Sequence, residues 1–264
     1  MRSDIAMRIV TWNVNGIRAA IRKGLDEFVT RIDPSILLLQ ETRALEEQLP
    51  KGWYPGLEHT HLHSAEKKGY SGVATWSMDD FEVVGTGIDT RLDPADSEGR
   101  MLHTQHGDLH CLNCYLPSGS NKAERQIWKE GWMEDLLEWA RPFTEMDAPV
   151  VLCGDLNIAH TEDDIWNPTG NRRTSGFLPQ ERSWFDRLLA SGWHDLLRID
   201  VGPGKGPYSW WSNRGQARIL DRGWRIDYVL GNAAALPLLQ RASVLREGGL
   251  VVSDHAPVIV DLDL

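Results

Sequence analysis

The sequence predicts an α/β fold in which two β-sheets pack face to face with helices outside. Three observations point there. Short, continuously apolar runs such as Val150–Cys153 and Ile36–Leu39 read as strands covered on both faces, because a half-exposed strand would alternate. The order strand, helix, strand, antiparallel strands, helix, strand occurs roughly twice along the chain. No linker or low-complexity segment divides it, and 264 residues with 41% hydrophobic content suffice for a large core.

Met7 to Val14 mixes apolar and β-branched residues as a first strand and ends in Asn13-Val14-Asn15-Gly16. The residues ahead of it, Met1–Ala6, read as a loose tail, so a single domain is expected over 7–264. Ile17, Ile21, Leu25, Phe28 and Ile32 recur at helical spacing, predicting one amphipathic helix closed by Asp33-Pro34. Ile36 to Leu39 is a buried strand followed by Gln40-Glu41-Thr42. Antiparallel strands are expected around 71–76, 81–88, 100–104 and 109–115, and a helix over Ala123 to Trp139. In Val150 to Asn157 an apolar strand turns polar, and Gly154 is expected to let the backbone leave the sheet. Asp155 and Asn157, at i and i+2, would then share one side of an extended segment, as would Asn13 and Asn15. A helix starting at Leu178-Pro179 and ending at Gly192, then a last strand over Val258 to Leu262, complete the order.

The net charge of −10 argues against a protein that coats nucleic acid through bulk electrostatics, but leaves room for an enzyme that grips phosphates locally. Cys111, Cys114 and Cys153 are too few and odd in number for a disulfide framework, which fits a reducing compartment. Cys111 and Cys114 lie three apart on a strand, so they point to opposite faces and suit packing better than redox or zinc chemistry. His59, His61 and His63 would share a strand face, but no carboxylate or cysteine accompanies them in sequence, so no metal site is expected there. No apolar run approaches the ~18 residues of a membrane span. A cytoplasmic protein is expected.

The polar residues that follow or interrupt apolar runs are Asn13, Asn15, Glu41, Tyr115, Asp155, Asn157, Asp227, Asp254 and His255. Ligands of α/β sheets bind beyond strand ends, where distant parts of a chain converge. This inventory suits metal-assisted phosphodiester hydrolysis. Glu41, with the Asn13 or Asn15 amide and Asp254, offers hard oxygen ligands for Mg²⁺. Asp155, held by Asn157, suits orienting or deprotonating a water. His255 paired with Asp227 would stay protonated beside a phosphoryl oxygen, and Tyr115 would donate to that oxygen or help activate the water.

Trp12-Asn13-Val14-Asn15-Gly16-Ile17-Arg18, Leu39-Gln40-Glu41-Thr42, Tyr115-Leu116-Pro117, Gly154-Asp155-Leu156-Asn157, Arg225-Ile226-Asp227-Tyr228 and Ser253-Asp254-His255-Ala256-Pro257 stand in the order and spacing of a known family. From Met7 onward the chain resembles the exonuclease III family of apurinic/apyrimidinic (AP) endonucleases. The resemblance implies a four-layer α/β sandwich, two packed mixed β-sheets flanked by helices. It also implies Mg²⁺-dependent cleavage 5′ to abasic sites, with Mn²⁺ as a substitute, plus 3′-5′ exonuclease and 3′-phosphodiesterase or phosphatase activity. The implied partner is double-stranded DNA with abasic sites or blocked 3′ ends, acted on by a monomer. By position, Glu41 goes to the metal, Asp155 and Asn157 to water and transition state, Tyr115 and His255 to phosphate, Asp227 to orienting His255, and Asp254 to metal or catalysis. The wider implied metal set adds Asn13, Asn15, Asp155, Asn157 and His255.

Asn167-Pro168-x-Gly170-Asn171 with Gly176-Phe177 and Pro179-Gln180-Glu181-Arg182 resembles the branch containing the major eukaryotic AP endonuclease. There an apolar pocket takes the flipped sugar, here matched by Trp210, Trp224 and Ile226; Arg18, Arg172 and Arg173 are the candidate phosphate contacts. Ser118 stands where relatives tend to carry Asn or Gln, and Asn15 where some carry Asp. Thr174 and Ser175 are small, which fits an open pocket. The alternatives are an enzyme that is mainly a 3′-5′ exonuclease, a non-DNA phosphodiesterase on the same scaffold, and a catalytically silent DNA-binding module.

Overall fold

A computed structural model describes residues 6–50, 53, 56–93, 95–120 and 123–264. Most of the expected N-terminal tail lies outside them. The elements follow in the order β1 (Met7–Asn13), α1 (Ile17–Arg22), α2 (Leu25–Ile32), β2 (Ile36–Gln40), β3 (His59–His63), β4 (Val73–Ser77), β5 (Glu82–Thr86), β6 (Met101–His106), β7 (Leu109–Tyr115), α3 (Ala123–Thr144) and β8 (Val150–Asp155). Then come α4 (Pro168–Asn171), α5 (Pro179–Ala190), β9 (His194–Asp195), α6 (Leu196–Val201), β10 (Asp227–Gly231), β11 (Leu239–Val244), α7 (Arg246–Val251) and β12 (Val258–Leu262).

They build two mixed six-stranded sheets, ordered β11-β12-β1-β2-β4-β3 and β5-β6-β7-β8-β10-β9. Each has the same centre. β1 runs parallel to β2 and antiparallel to β12, while β8 runs parallel to β7 and antiparallel to β10. Period-two alternation sorts the side chains into layers. Ile9, Leu38, Cys111, Val151, Cys153, Val229 and Val260 fill the space between the sheets. Val10, Trp12, Leu37 and Leu39 meet α1 and α2 on one outer face, and Leu112, Cys114, Leu152 and Leu230 meet α3 and α5 on the other. The result is helix, sheet, sheet, helix.

Several local expectations change. The single helix over 17–32 is two helices, because Gly24 takes a left-handed φ of 93° and caps the second. The helix from Ala123 runs on to Thr144, with Pro142 inside its last turn. Leu239–Val244 was not expected as a strand; it pairs with β12 through a register shift that interrupts its alternation. Gly154 does not leave the sheet. It stays in β8 opposite Cys114, where an added Cβ would lie 1.8 Å from the Cys114 carbonyl oxygen, so the residue permits close strand approach. His59 and His63 do meet carboxylates, Asp80 at 3.2 Å and Asp96 at 3.0 Å, brought in by later loops.

Toward the end of the strands carrying Asn13 and Asp155, the layer between the sheets turns polar. Gln40 donates to Thr11 at 2.8 Å and to the Asn113 side-chain oxygen at 2.8 Å, and Asn113 donates to the Ala74 and Leu39 carbonyls at 2.8 and 3.2 Å. Asn113 thus ties the second sheet to the backbone of the first. Asn113→Ala removes these inter-sheet bonds and takes from the buried Gln40 amide one of its acceptors, and it is expected to lower the unfolding free energy by about 1–3 kcal/mol, read from denaturant midpoints.

Candidate active site

The same alternation that places Ile9, Cys153 and Val229 between the sheets places Asn13, Asp155 and Asp227 there too, at the strand ends. Asn13 donates from one amide nitrogen to Glu41 Oε2 at 2.9 Å and to Asp155 Oδ2 at 2.8 Å. Its oxygen accepts the Asn15 N–H at 2.9 Å, and Asp155 Oδ1 accepts the Asn157 N–H at 2.8 Å. Both strands therefore end in the same turn, with Asn15 at φ 47° and Asn157 at φ 50°. This corrects the extended geometry expected from sequence. The second amides diverge: Asn15 donates to Asp254 at 2.7 Å and Asn157 to the Leu116 carbonyl at 2.8 Å.

His255 Nδ1 lies 2.9 Å from Asp227 Oδ2, and its Nε2 is 3.9 Å from Asp155 Oδ2. Ser209 donates to Asp227 at 2.6 Å, and Trp12 donates to the His255 carbonyl at 2.8 Å. Burial works against the imidazolium, but Asp227 and then Asp155 outweigh it and raise His255 to about 10. Burial pushes Asp155 up to about 7 against the pull of His255. Burial chiefly, then Glu41, holds the Tyr115 phenol well above its ordinary value, so it remains an O–H donor. Burial also works to raise Asp254, but His255, Asn15 and Trp210 together bring it below the usual carboxylate value.

Asn15, Glu41, Tyr115, Asp155, Asn157, Asp254 and His255 line one cleft of about 490 Å³. On one side stand Trp210 and Trp224, edge to face with ring centroids 5.9 Å apart, beside buried Ile226 and backed by Phe177. Paired main-chain bonds between Trp210 and Trp224, at 2.8 and 2.9 Å, fix that wall. On the other side Arg100 donates to the Tyr115 carbonyl at 2.9 Å and stacks 4.8 Å from the Tyr115 ring. Arg43, Tyr70 and Arg125 join it, none singled out from sequence. Arg18, Arg172 and Arg173 are exposed and outside the cleft lining; Arg18 borders an adjoining groove with Arg22 and Arg43.

Among the described residues, one group of three or more His, Cys, Asp or Glu brings its ligand atoms within 4.8 Å: Asp155, Asp227 and His255. Its imidazole is committed to Asp227 through Nδ1, and the two aspartates favour its protonated form. Asn13 is equally committed, with nitrogen and oxygen both bonded within the site. Glu41, Asn15 and Asp254 line the cleft as a hard oxygen set, with Glu41 paired to Arg43 at its other oxygen. That donor set fits a small divalent cation.

The His255 shift carries a pH signature. A histidine raised from 6.5 to about 10 contributes stability that is fully present below pH 6.5 and lost as pH rises through 10. The stability gap between wild type and Asp227→Asn is therefore expected to be widest near pH 6 and to close above pH 10. Denaturation at several pH values reads it; a gap constant across that range would exclude the ion pair as its source.

Comparison with known proteins agrees with this geometry. Residues 10–255 match the model of the Endonuclease/Exonuclease/phosphatase family. An exodeoxyribonuclease of Bacillus subtilis is 37% identical over 96% of this chain and 98% of its own. The DNA repair nuclease APEX1 of Danio rerio is 36% identical, over 97% and 82%. An AP endonuclease structure from Archaeoglobus fulgidus superposes with a TM-score of 0.88 at 26% identity, covering 98% of this chain and all of the other. A Neisseria 3′ phosphatase bound to a product DNA hairpin gives 0.87 at 29%, with 98% and 100% coverage. With its carboxylates, amides and paired histidine gathered where two matching sheets end, and with relatives of this closeness along nearly its whole length, the chain belongs to the endonuclease/exonuclease/phosphatase family, as a nuclease of the AP endonuclease and exodeoxyribonuclease group.

Proposed function

We propose that the protein is a cytoplasmic, monomeric DNA-repair phosphodiesterase that cuts 5′ to abasic sites and also trims 3′ ends as exonuclease, phosphodiesterase and phosphatase. One observation carries this reading. Asp155 and His255, the latter held from behind by Asp227, share a cleft with the Trp210, Trp224 and Ile226 wall. A baseless deoxyribose is small and largely apolar; a nucleotide with its base would clash with such a wall.

Mg²⁺, with Mn²⁺ as a substitute, would be held by Glu41 with Asn15 and Asp254, and when bound supplies charge stabilisation at a phosphoryl oxygen. The protein does the rest. Asp155, raised into the neutral range, accepts a proton from the attacking water. His255, kept cationic by Asp227, presents Nε2 to the phosphoryl oxygens, and Tyr115 donates its phenolic hydrogen there. Asn157, anchored on Leu116, sits at the same rim and orients the water. Arg18 and Arg173, exposed at the surface, and Arg172, exposed and 3.6 Å from Glu162, suit contacts to DNA phosphates that the net charge of −10 would otherwise repel.

The first test uses a duplex carrying one stable abasic analogue beside the intact duplex, with Mg²⁺ or chelator. The expected result is a single Mg²⁺-dependent cut 5′ to the lesion. Progressive 3′ shortening of both duplexes without that cut would instead make the protein mainly an exonuclease. Separately, Asp155→Asn and Tyr115→Phe are each expected to slow the single-turnover step by roughly 10²-fold or more. Wild-type rates for both would sink the assignment.

A further inference from the structure

Two charges are sealed inside the molecule just behind the cleft. Lys129 of α3 and Glu181 of α5 are fully buried and meet at 2.6 Å. Swapping a buried ion pair for apolar side chains is often neutral or stabilising, so its presence is weak evidence of a stability role. Its bonds point elsewhere. Lys129 Nζ donates to the main-chain carbonyl of Asn157 at 2.9 Å, fixing the turn that carries Asp155 and Asn157. Glu181 Oε2 accepts the N–H groups of Gly176 and Leu178 at 2.7 and 2.9 Å, fixing the segment that carries Phe177 behind Trp224. The two segments touch at Gly176. Its carbonyl accepts the Ala159 N–H at 2.8 Å, and a Cβ there would lie 3.0 Å from the Asn157 oxygen and 3.2 Å from the Trp224 ring.

From these contacts we infer that the Lys129–Glu181 pair is a positioning device that sets the separation between the catalytic turn and the aromatic pocket, and so favours abasic-site cleavage over trimming of ordinary 3′ ends. The inference rests on the function proposed above. An abasic substrate must place its sugar against Trp224 and its phosphate against Asp155 and His255 together, so it feels any change in their spacing. A fraying 3′ end can adjust its depth and feels it less.

The test compares wild type with Lys129→Met and with Lys129→Met combined with Glu181→Gln. The double variant leaves no unpaired buried charge while keeping an acceptor for Gly176 and Leu178. Single-turnover rates are measured on an abasic-analogue duplex and on an intact recessed 3′ end, with thermal unfolding alongside. Abasic cutting is expected to fall ~10–100-fold, as for a misplacement of about 1 Å, and 3′ trimming by less than about threefold. If the single variant does not fold, the double variant decides. An unchanged ratio of the two activities overturns the inference, even where both rates or the stability fall together. If wild type makes no abasic cut, the functional reading fails and the inference falls with it.

Discussion

Two carboxylates from different sheets, Glu41 and Asp155, are held by the two hydrogens of one neutral amide, Asn13. Asn13 is fully buried, and its oxygen is taken by the turn it initiates. Aspartate has no hydrogens to give and would add a third negative charge; a longer amide would need the sheets farther apart. The site thus depends on the inter-sheet distance, and that distance on the packing of Ile9, Leu38, Cys153 and Val229 below. Core and chemistry occupy one layer, apolar along most of its length and polar at one end.

The alternation that makes a strand amphipathic is also what made much of this site legible. Asn13, Asp155 and Asp227 each end or begin an apolar strand, so sequence alone marked them, and the fold brings them together. Left-handed turns at Asn15 and Asn157 were not legible as such, because an Asx turn depends on a side-chain bond that i and i+2 spacing does not reveal. The helix break at Gly24 was hidden by an apolar period that runs through it. Arg100 escaped notice because its role comes from the Tyr115 carbonyl and ring, fifteen residues away.

Lys129 and Glu181 did leave a signal. Lys129 falls on the stripe of Trp132, Met133 and Leu136, and Glu181 on that of Trp184, Phe185 and Leu188, each at i, i+3, i+4 and i+7. A charge on the apolar face of a helix has to find a partner or a carbonyl. Opposite charges at matching positions on two helices that both cover one sheet are readable as a pair. The surface tells a different story: the overall charge is negative, yet the cleft gathers Arg43, Arg100 and Arg125, the first paired with Glu41 and the other two with Glu98, so positive charge there is local and partly neutralised.

The three cysteines lie within the packed layers, Cys111 and Cys153 between the sheets and Cys114 under the helices, all free and fully buried. Burial raises each thiol far above its ordinary value, so no thiolate is offered to solvent. Peroxide reacts with exposed thiolates and spares protonated thiols sealed in a core. The fold therefore gives this nuclease no exposed thiolate through which an oxidant could switch it off.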